Sequence, residues 1–185
     1  TVAYVTKTGW PEALTLAAAT GKVTAASRGT TVGAVISGTV TITLTANGKS
    51  ASKEVSVSQQ ANSVTYAVTD VTLAAPADIP ASGGSVSSAT VTAKGSKTYT
   101  SGSVTSDVAL TNGSDDCTIT FSEGVSAASL GTTVTNRTKK GTLTATVTWK
   151  TTATKSASVD VYQAANTATY GDITFDSAVA TEVSL

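Results

Sequence analysis

Gly38-Thr-Val-Thr-Ile-Thr-Leu-Thr-Ala-Asn47-Gly48 is a run in which apolar and polar residues alternate up to a two-residue turn. The pattern returns as Gly141-Thr-Leu-Thr-Ala-Thr-Val-Thr-Trp149. Alternation with a period of two places the apolar side chains on one face of a β-strand and the threonines on the other. Each run is followed by a second alternating segment, residues 54–62 and 158–166. The chain therefore predicts two antiparallel β-hairpins, each with one buried face.

The two hairpins differ in their predicted turns. Asn47-Gly48 is a strong signal for a type I′ turn, because both residues tolerate positive φ. The second hairpin has residues 150–155 at this place, which predicts a longer loop. The side chains that we expect to face inward are Val40, Ile42, Leu44, Ala46, Val55 and Val57 in the first hairpin, and Leu143, Ala145, Val147, Trp149, Val159 and Val161 in the second.

The hairpins belong to a longer internal repeat. Ala26-Ser-Arg-Gly-Thr-Thr-Val32 matches Ala128-Ser-Leu-Gly-Thr-Thr-Val134 at six of seven places, about 102 positions apart. By Tyr66 and Tyr170 the separation is about 104, and the extra residues fall in the hairpin turn, where insertions are tolerated. We call residues 20–66 the first copy and residues 123–170 the second copy.

The composition suits β-structure. Of 185 residues, 40% are hydrophobic, but only 5% are aromatic and 13% charged, and β-branched Val and Thr fit a pleated surface. The net charge is zero without a basic stripe, which disfavours nucleic acid as a partner. No apolar run reaches the roughly 20 residues of a membrane span. Because the chain has neither Met nor a signal peptide, we expect a mature product or a piece of a longer protein.

The spacing of strands and turns predicts the architecture. Residues 67–170 contain about seven short strands at roughly 8–12-residue spacing, as in an immunoglobulin-like sandwich. Nothing before residue 14 matches the stretch 73–104, so the first sandwich is expected to be N-terminally incomplete. Apolar parity slips between Val68 and Val71, and the second copy does the same between Tyr170 and Ile173, which predicts a strand with a bulge or a change of sheet after each hairpin. The expected fold is all-β, with tandem sandwiches at 1–66 (partial) and 67–170, and a tail at 171–185 that resembles the start of a further repeat.

No catalytic centre is predicted. The chain has no histidine, which excludes Ser-His-Asp and Cys-His catalysis and histidine metal sites, and it has no phosphate-binding glycine motif. The carboxylates are isolated, so the chain is not expected to be an enzyme or to hold a cofactor. Asp115-Asp116 beside Asn112 and Ser114 is either a calcium site or a turn bonded to its own backbone. The lone Cys117 is expected to be a buried small hydrophobe.

The segments 128–134, 142–148 and 159–166, the last of them Val-Asp-Val-Tyr-Gln-Ala-Ala-Asn, resemble bacterial Ig-like tandem repeats. They are similar to the BACON-type and group 2 Ig-like modules of Bacteroidetes surface or phage proteins, and the turn at 80–86 fits the same pattern. The resemblance implies extracellular display on a bacterial cell surface or a phage virion. Asp176-Ser177-Ala178 resembles the O-glycosylation acceptor of that phylum, with Ser177 as the acceptor, and a plain turn is the alternative interpretation.

These observations favour a non-enzymatic structural or adhesion module that spaces or displays a binding region of a longer protein. One alternative is a carbohydrate-binding module, for which Trp10, Tyr99 and Tyr162 are the candidate contacts because aromatic rings supply rigid apolar area. Another is a phage decoration or fibre protein. The expected partners are a glycan or surface protein and neighbouring Ig-like repeats. A further hypothesis is homo-assembly, in which the tail of one chain adds a strand to the incomplete first domain of another.

Overall fold

The computed structural model describes residues 1–173, and within them every regular element is a β-strand. The prediction of an all-β chain is confirmed. The strands are β1 (Val2–Thr6), β2 (Leu14–Ala17), β3 (Lys22–Ala25), β4 (Ile36–Ala46), β5 (Lys49–Gln59), β6 (Val64–Leu73), β7 (Gly84–Val86), β8 (Val91–Tyr99), β9 (Val104–Leu110), β10 (Cys117–Phe121), β11 (Val125–Ala127), β12 (Thr138–Trp149) and β13 (Ala153–Gln163).

The strands form five small sheets. Three of these have three strands, in the orders β1-β4-β5, β6-β8-β9 and β10-β12-β13, and two are the pairs β2-β3 and β7-β11. The Cα positions group into two compact units, one from residues 1–72, 92–120 and 146–156 and the other from residues 73–91, 121–145 and 157–173. The contiguous domains 1–66 and 67–170 and their sandwich form stay predictions. No helix within residues 1–173 has the length and apolar character that a membrane crossing requires.

Both predicted hairpins are present. Strands β4 and β5 pair from Ile36↔Gln59 to Ala46↔Lys49, and the turn residues Asn47 and Gly48 have φ of 50° and 73°. The type I′ prediction is therefore confirmed.

The turn between β12 and β13 is shorter than the sequence predicts. It comprises only residues 150–152, because the strands continue to Trp149 and from Ala153. Lys150 and Thr151 adopt positive φ of 51° and 63° although neither is glycine or asparagine. This tight turn could not be predicted from the residue types, since Lys and Thr do not favour it.

The second copy has a closed core. Leu143, Ala145, Val147 and Trp149 have no exposed surface, so the predicted inward face is confirmed. In the unit that contains 121–145, Leu143 packs in a cluster with Ile79, Val125 and Val161.

Trp149 closes the other end of this apolar row. Its ring meets Tyr66 edge-on with centroids 4.9 Å apart. It also lies so close to Gly95 on β8 that a Cβ there would be 2.6 Å from the ring carbon Cζ3. Glycine at position 95 is thus required by packing, since its φ is not in the left-handed region.

The first copy is less closed than predicted. Val40 is 4% exposed as expected, but Leu44 is 55% exposed and Val55 36%. The prediction that these two residues are buried is wrong. In the second copy, Val147 stands at the place of Leu44, beside Trp149 and the residues that cover it. Within residues 1–173 the end of the β4–β5 face at Leu44 has no comparable aromatic cover.

Strand β2 has a counterpart in the second half of the chain. Its partner β3 corresponds in the repeat to β11, which pairs with β7. Leu16 lies opposite Val23 just as Val86 lies opposite Val125, so β2 takes the pairing position of β7. Similar turns precede both strands: Leu14 N donates to Pro11 O (3.1 Å), and Gly83 N donates to Pro80 O (2.9 Å).

The predicted change of parity after each hairpin is found once. In β6, Val64, Tyr66 and Val68 are half-buried and then Val71 is 7% exposed, so the buried side changes within one continuous strand. Residues 167–173 form no strand, and Tyr170 is 92% exposed. The expectation that the second copy repeats this strand is therefore wrong for the described residues.

Candidate functional site

A glutamine and an asparagine at the end of β5 hold the loop at 26–32. Gln59 Nε2 donates to Ala26 O at 2.7 Å. Asn62 Nδ2 donates to Gly29 O at 3.0 Å and to Thr31 O at 2.9 Å. These bonds satisfy loop carbonyls that have no place in a sheet, so the two side chains fix the loop against the end of the hairpin.

The second copy repeats this arrangement. Gln163 Nε2 donates to Ala128 O at 2.8 Å, and Asn166 Nδ2 donates to Gly131 O at 3.0 Å and Thr133 O at 2.8 Å. We call each set the Gln–Asn clamp. The clamp explains why the loop sequence and the Gln-x-x-Asn end of the hairpin recur together: each supplies one half of a hydrogen-bonded unit.

The first clamp also holds the turn between β8 and β9. Asn62 Oδ1 accepts from Ser101 N at 2.9 Å and from Thr100 Oγ1 at 3.1 Å, and Ser101 Oγ donates to Gly29 O at 2.6 Å. Asn62 is consequently only 2% exposed. Asn166 is half-buried, and within residues 1–173 its Oδ1 has no hydrogen-bond partner.

Arg28 is the single mismatch in the seven-residue loop, where the second copy has Leu130. Its Nε donates to Gln59 Oε1 at 3.2 Å and its Nη1 to Gly33 O at 2.8 Å. Its Nη2 is buried, with no partner among the described residues. A buried guanidinium N–H without an acceptor lowers the stability of the fold, so an acceptor supplied by a binding partner would be favourable at Arg28 Nη2.

A groove of about 460 Å³ lies beside Arg28 and the end of β5. Apolar side chains of the loop line most of it, and Gln59 and Arg28 supply its polar groups. Val32 and Val35 on its wall are 56% and 51% exposed. Such a surface is complementary to a peptide. Small apolar side chains of the peptide would contact the exposed valines, and its backbone carbonyls would accept from the unsatisfied N–H groups. A smaller polar recess of about 250 Å³ also includes Arg28 and Gln59 in its wall.

The three candidate sugar contacts have separate surroundings. Trp10 is half-buried, donates from Nε1 to Leu14 O at 2.7 Å and covers Gly38 with its ring. Tyr99 is half-buried at the end of β8, at the start of the turn whose Ser103 O accepts from its backbone N–H. The Arg137 guanidinium lies 3.7 Å from the ring centroid of Tyr162 and covers one ring face. Their role in sugar binding stays a prediction.

The acidic turn after β9 is neutralised by lysines. Lys150 Nζ lies 2.6 Å from Asp115 Oδ1 and 3.0 Å from Asp116 Oδ2, and Lys97 Nζ lies 3.7 Å from Asp115 Oδ2. The hydrogen bond from Lys150 holds the pKa of the Asp115 carboxyl below its usual value. Asn112 Oδ1 accepts from Ile119 N at 2.8 Å, as in a turn that bonds its own backbone.

Cys117 is 1% exposed, as predicted. Burial raises the pKa of its thiol, and the negative charge of Asp115 adds to this effect. Both favour the unreactive thiol form. The predicted glycosylation acceptor Ser177 and most of the tail 171–185 lie outside the described residues.

Comparison with protein-family models, with curated proteins and with solved structures finds no match to this chain. The account of function accordingly rests on the residues and their geometry. The Gln–Asn clamps are the feature that sequence reasoning missed. The recurrence of Gln and Asn three positions apart after each hairpin signalled them, but their loop partners emerge only from the fold.

Proposed function

We propose that the chain is a non-enzymatic structural module of a longer extracellular or virion-displayed protein, in which it spaces or displays a binding region. The observation that supports this most directly is the use of its polar side chains. The amides of Gln59, Asn62, Gln163 and Asn166 bond loop carbonyls, and the lysines near Asp115 bond carboxylates. These groups hold the chain in shape instead of facing a substrate.

The first clamp supports the spacing role further. Asn62 joins the hairpin end, the loop at 29–31 and the turn at 100–101 through one side chain. A residue that ties three backbone segments together resists their separation, because extension breaks several bonds at once. We infer that the segment around Asn62 is a firm connection, as a display module needs.

Two measurements on the full chain test this proposal. Under single-molecule extension, a structural module should unfold in discrete cooperative events, and on a glycan and mucin array it should bind nothing above background. Gradual extension without discrete events would contradict the mechanical role. Glycan binding that is lost in Trp10→Ala, Tyr99→Ala or Tyr162→Ala would instead establish the chain as a carbohydrate-binding module.

A further inference from the structure

A short segment of the chain, residues 79–81, adds to the outer edge of β13 as a parallel strand. Ile79 N donates to Tyr162 O at 2.8 Å, and Ala164 N donates to Ile79 O at 2.8 Å. Ile79 is 1% exposed and contributes to the core cluster of the second copy. We call residues 79–81 the added segment. It both satisfies the strand edge and anchors an aliphatic side chain.

The added segment also bonds to the clamp loop of the second copy. Gln163 Nε2, which already donates to Ala128 O, donates its other N–H to Pro80 O at 3.2 Å. Leu130 N donates to Ala81 O at 2.9 Å. Four hydrogen bonds thus hold residues 79–81. Ile79 forms the parallel bridge to Gln163, and Pro80 and Ala81 begin the turn that the bond from Gly83 N to Pro80 O closes.

The first copy has the same donors and no added segment. The counterparts of Ala164 N and Leu130 N are Gln60 N and Arg28 N, and neither has a hydrogen-bond partner among residues 1–173. Among the described residues Gln59 Nε2 donates only to Ala26 O, which leaves its second N–H without a partner there. Strand β5 is the edge strand of its sheet, as its order β1-β4-β5 shows.

The first-copy counterparts of the residues that bond the added segment line two recesses. Arg28 and Gln59 line both the groove of about 460 Å³ and the smaller recess of about 250 Å³, and Gln60 lines the smaller one. The groove includes Ala26, Arg28 and Gln59, the counterparts of Ala128, Leu130 and Gln163, which surround the added segment in the second copy. The exposed Val32 and Val35 widen its apolar wall, and the partnerless Nη2 of Arg28 offers an N–H that Leu130 does not have.

We propose that this groove binds an extended peptide segment of another polypeptide, with an aliphatic residue followed by proline and a small residue, as a parallel strand on the edge of β5. The aliphatic residue supplies apolar contact, and the proline fixes an extended backbone and needs no acceptor for an N–H. The small residue lets its carbonyl approach the N–H of Arg28. The choice of this occupant rests on the chain's own added segment, Ile79-Pro80-Ala81, which fills the equivalent place in the second copy.

The test uses the full 15N-labelled chain and a synthetic peptide of residues 73–84. We expect saturable amide shifts at Gln60 and Arg28 and slower hydrogen exchange there, with no change at Ala164 and Leu130. With only a few bonds, the Kd should be on the order of 0.1–1 mM. Absence of shifts at a peptide concentration of several times that range, or shifts confined to other residues, would overturn the proposal.

Variants of both partners separate strand addition from non-specific contact. In the chain, Gln60→Pro removes an N–H that has no acceptor within residues 1–173, so it should preserve the fold while weakening peptide binding at least about 5-fold. Gln60→Ala should bind like the wild type. In the peptide, Ile79→Asp should abolish the shifts. Equal binding by Gln60→Pro would overturn the proposal. So would light scattering that shows a dimer whose Gln60 amide is protected without peptide, because a second copy would then be the occupant.

Discussion

At the scale of single residues, Gly95 illustrates how tightly Trp149 is packed. A Cβ at this position would lie 2.6 Å from Cζ3 of the Trp149 ring and 2.9 Å from Ala67 O. We expect Gly95→Ala to lower the free energy of unfolding by about 1–3 kcal/mol, because a filled core relieves such overlap only by shifting the ring or the backbone. Urea unfolding followed by tryptophan fluorescence measures it. Gly171→Ala, where a Cβ meets nothing, is the matched control and should leave the midpoint unchanged.

The ion pairs of Asp115 give the stability a pH dependence with a definite sign. The pKa of Asp115 is lowered chiefly by the hydrogen bond from Lys150, and the pKa of Asp78 and of Asp160 by hydrogen bonds from Arg137 and Lys139. A carboxylate whose pKa is lower in the folded than in the unfolded state stabilises the fold above the unfolded value of about 3.9. That stabilisation is lost as the pH falls through the folded-state pKa.

We therefore expect the melting temperature to fall between pH 5 and pH 2.5, and to fall less steeply in Asp115→Asn. Asp70→Asn, which removes a carboxylate with no ion pair among the described residues, should retain the wild-type slope. Calorimetric scans across this range decide the matter. An Asp115→Asn profile parallel to that of the wild type would show that the ion pair contributes nothing.

The two clamp asparagines offer a comparison of one side chain in two surroundings. Asn62 is buried, and its loss leaves Thr31 O and the N–H of Ser101 without partners and removes one of the two bonds to Gly29 O. Asn166 is half-buried, and water can replace its bonds. Asn62→Ala should lower the free energy of unfolding by about 2–4 kcal/mol and Asn166→Ala by about 1 kcal/mol or less. Denaturant titration of both variants measures the difference. Equal losses would mean that the bonds to the turn at 100–101 carry no stability.

At the scale of elements, the turn of the second hairpin is less well suited to its conformation than that of the first. Thr151 is β-branched and holds φ at 63°, while Gly48 meets the same demand without a side chain. Thr151→Gly should raise the free energy of unfolding by about 1 kcal/mol through relief of the backbone strain. The gain is reduced by the loss of the hydrogen bond that Thr151 Oγ1 donates to Lys150 O. The unfolding midpoint reports it, and Gly48→Thr should lower the midpoint. A destabilised Thr151→Gly variant would show that the threonine contributes more than its strain costs.

The elements also show how far the sequence could be interpreted. Alternation predicted β4, β5, β12 and β13 and their faces, because a half-buried strand requires that pattern. It overestimated the burial of Leu44, since alternation reports which face a residue points to and not whether anything covers that face. It could not reveal that β2 pairs with β3, because both are four-residue strands whose pairing depends on the turn between them, where the N–H groups of Thr20 and Gly21 donate to Ala17 O.

At the scale of the whole molecule, one repeat produces two local structures that share the Gln–Asn clamp and differ in what covers the outer strand edge. Both copies close a loop with a Gln–Asn clamp, but only the second has the added segment on its outer strand edge. The repeat itself was readable from the sequence. The open edge of β5 could not be predicted. It is recognised only by comparison with β13, whose edge is covered by a one-residue parallel bridge to Ile79, and such a bridge leaves no periodic pattern in the sequence.

Matching backbone amides of the two copies therefore differ in whether they have a hydrogen-bond acceptor. Native-state hydrogen exchange by NMR tests this difference without any ligand or variant. The backbone N–H groups of Gly33 and Thr135 donate to Asn62 O and Asn166 O, so we expect both to be protected. The amides of Ala164 and Leu130 should exchange at least about 100-fold more slowly than those of Gln60 and Arg28. Equal protection of Gln60 and Ala164, or exchange of Thr135 as fast as an unstructured amide, would contradict the account.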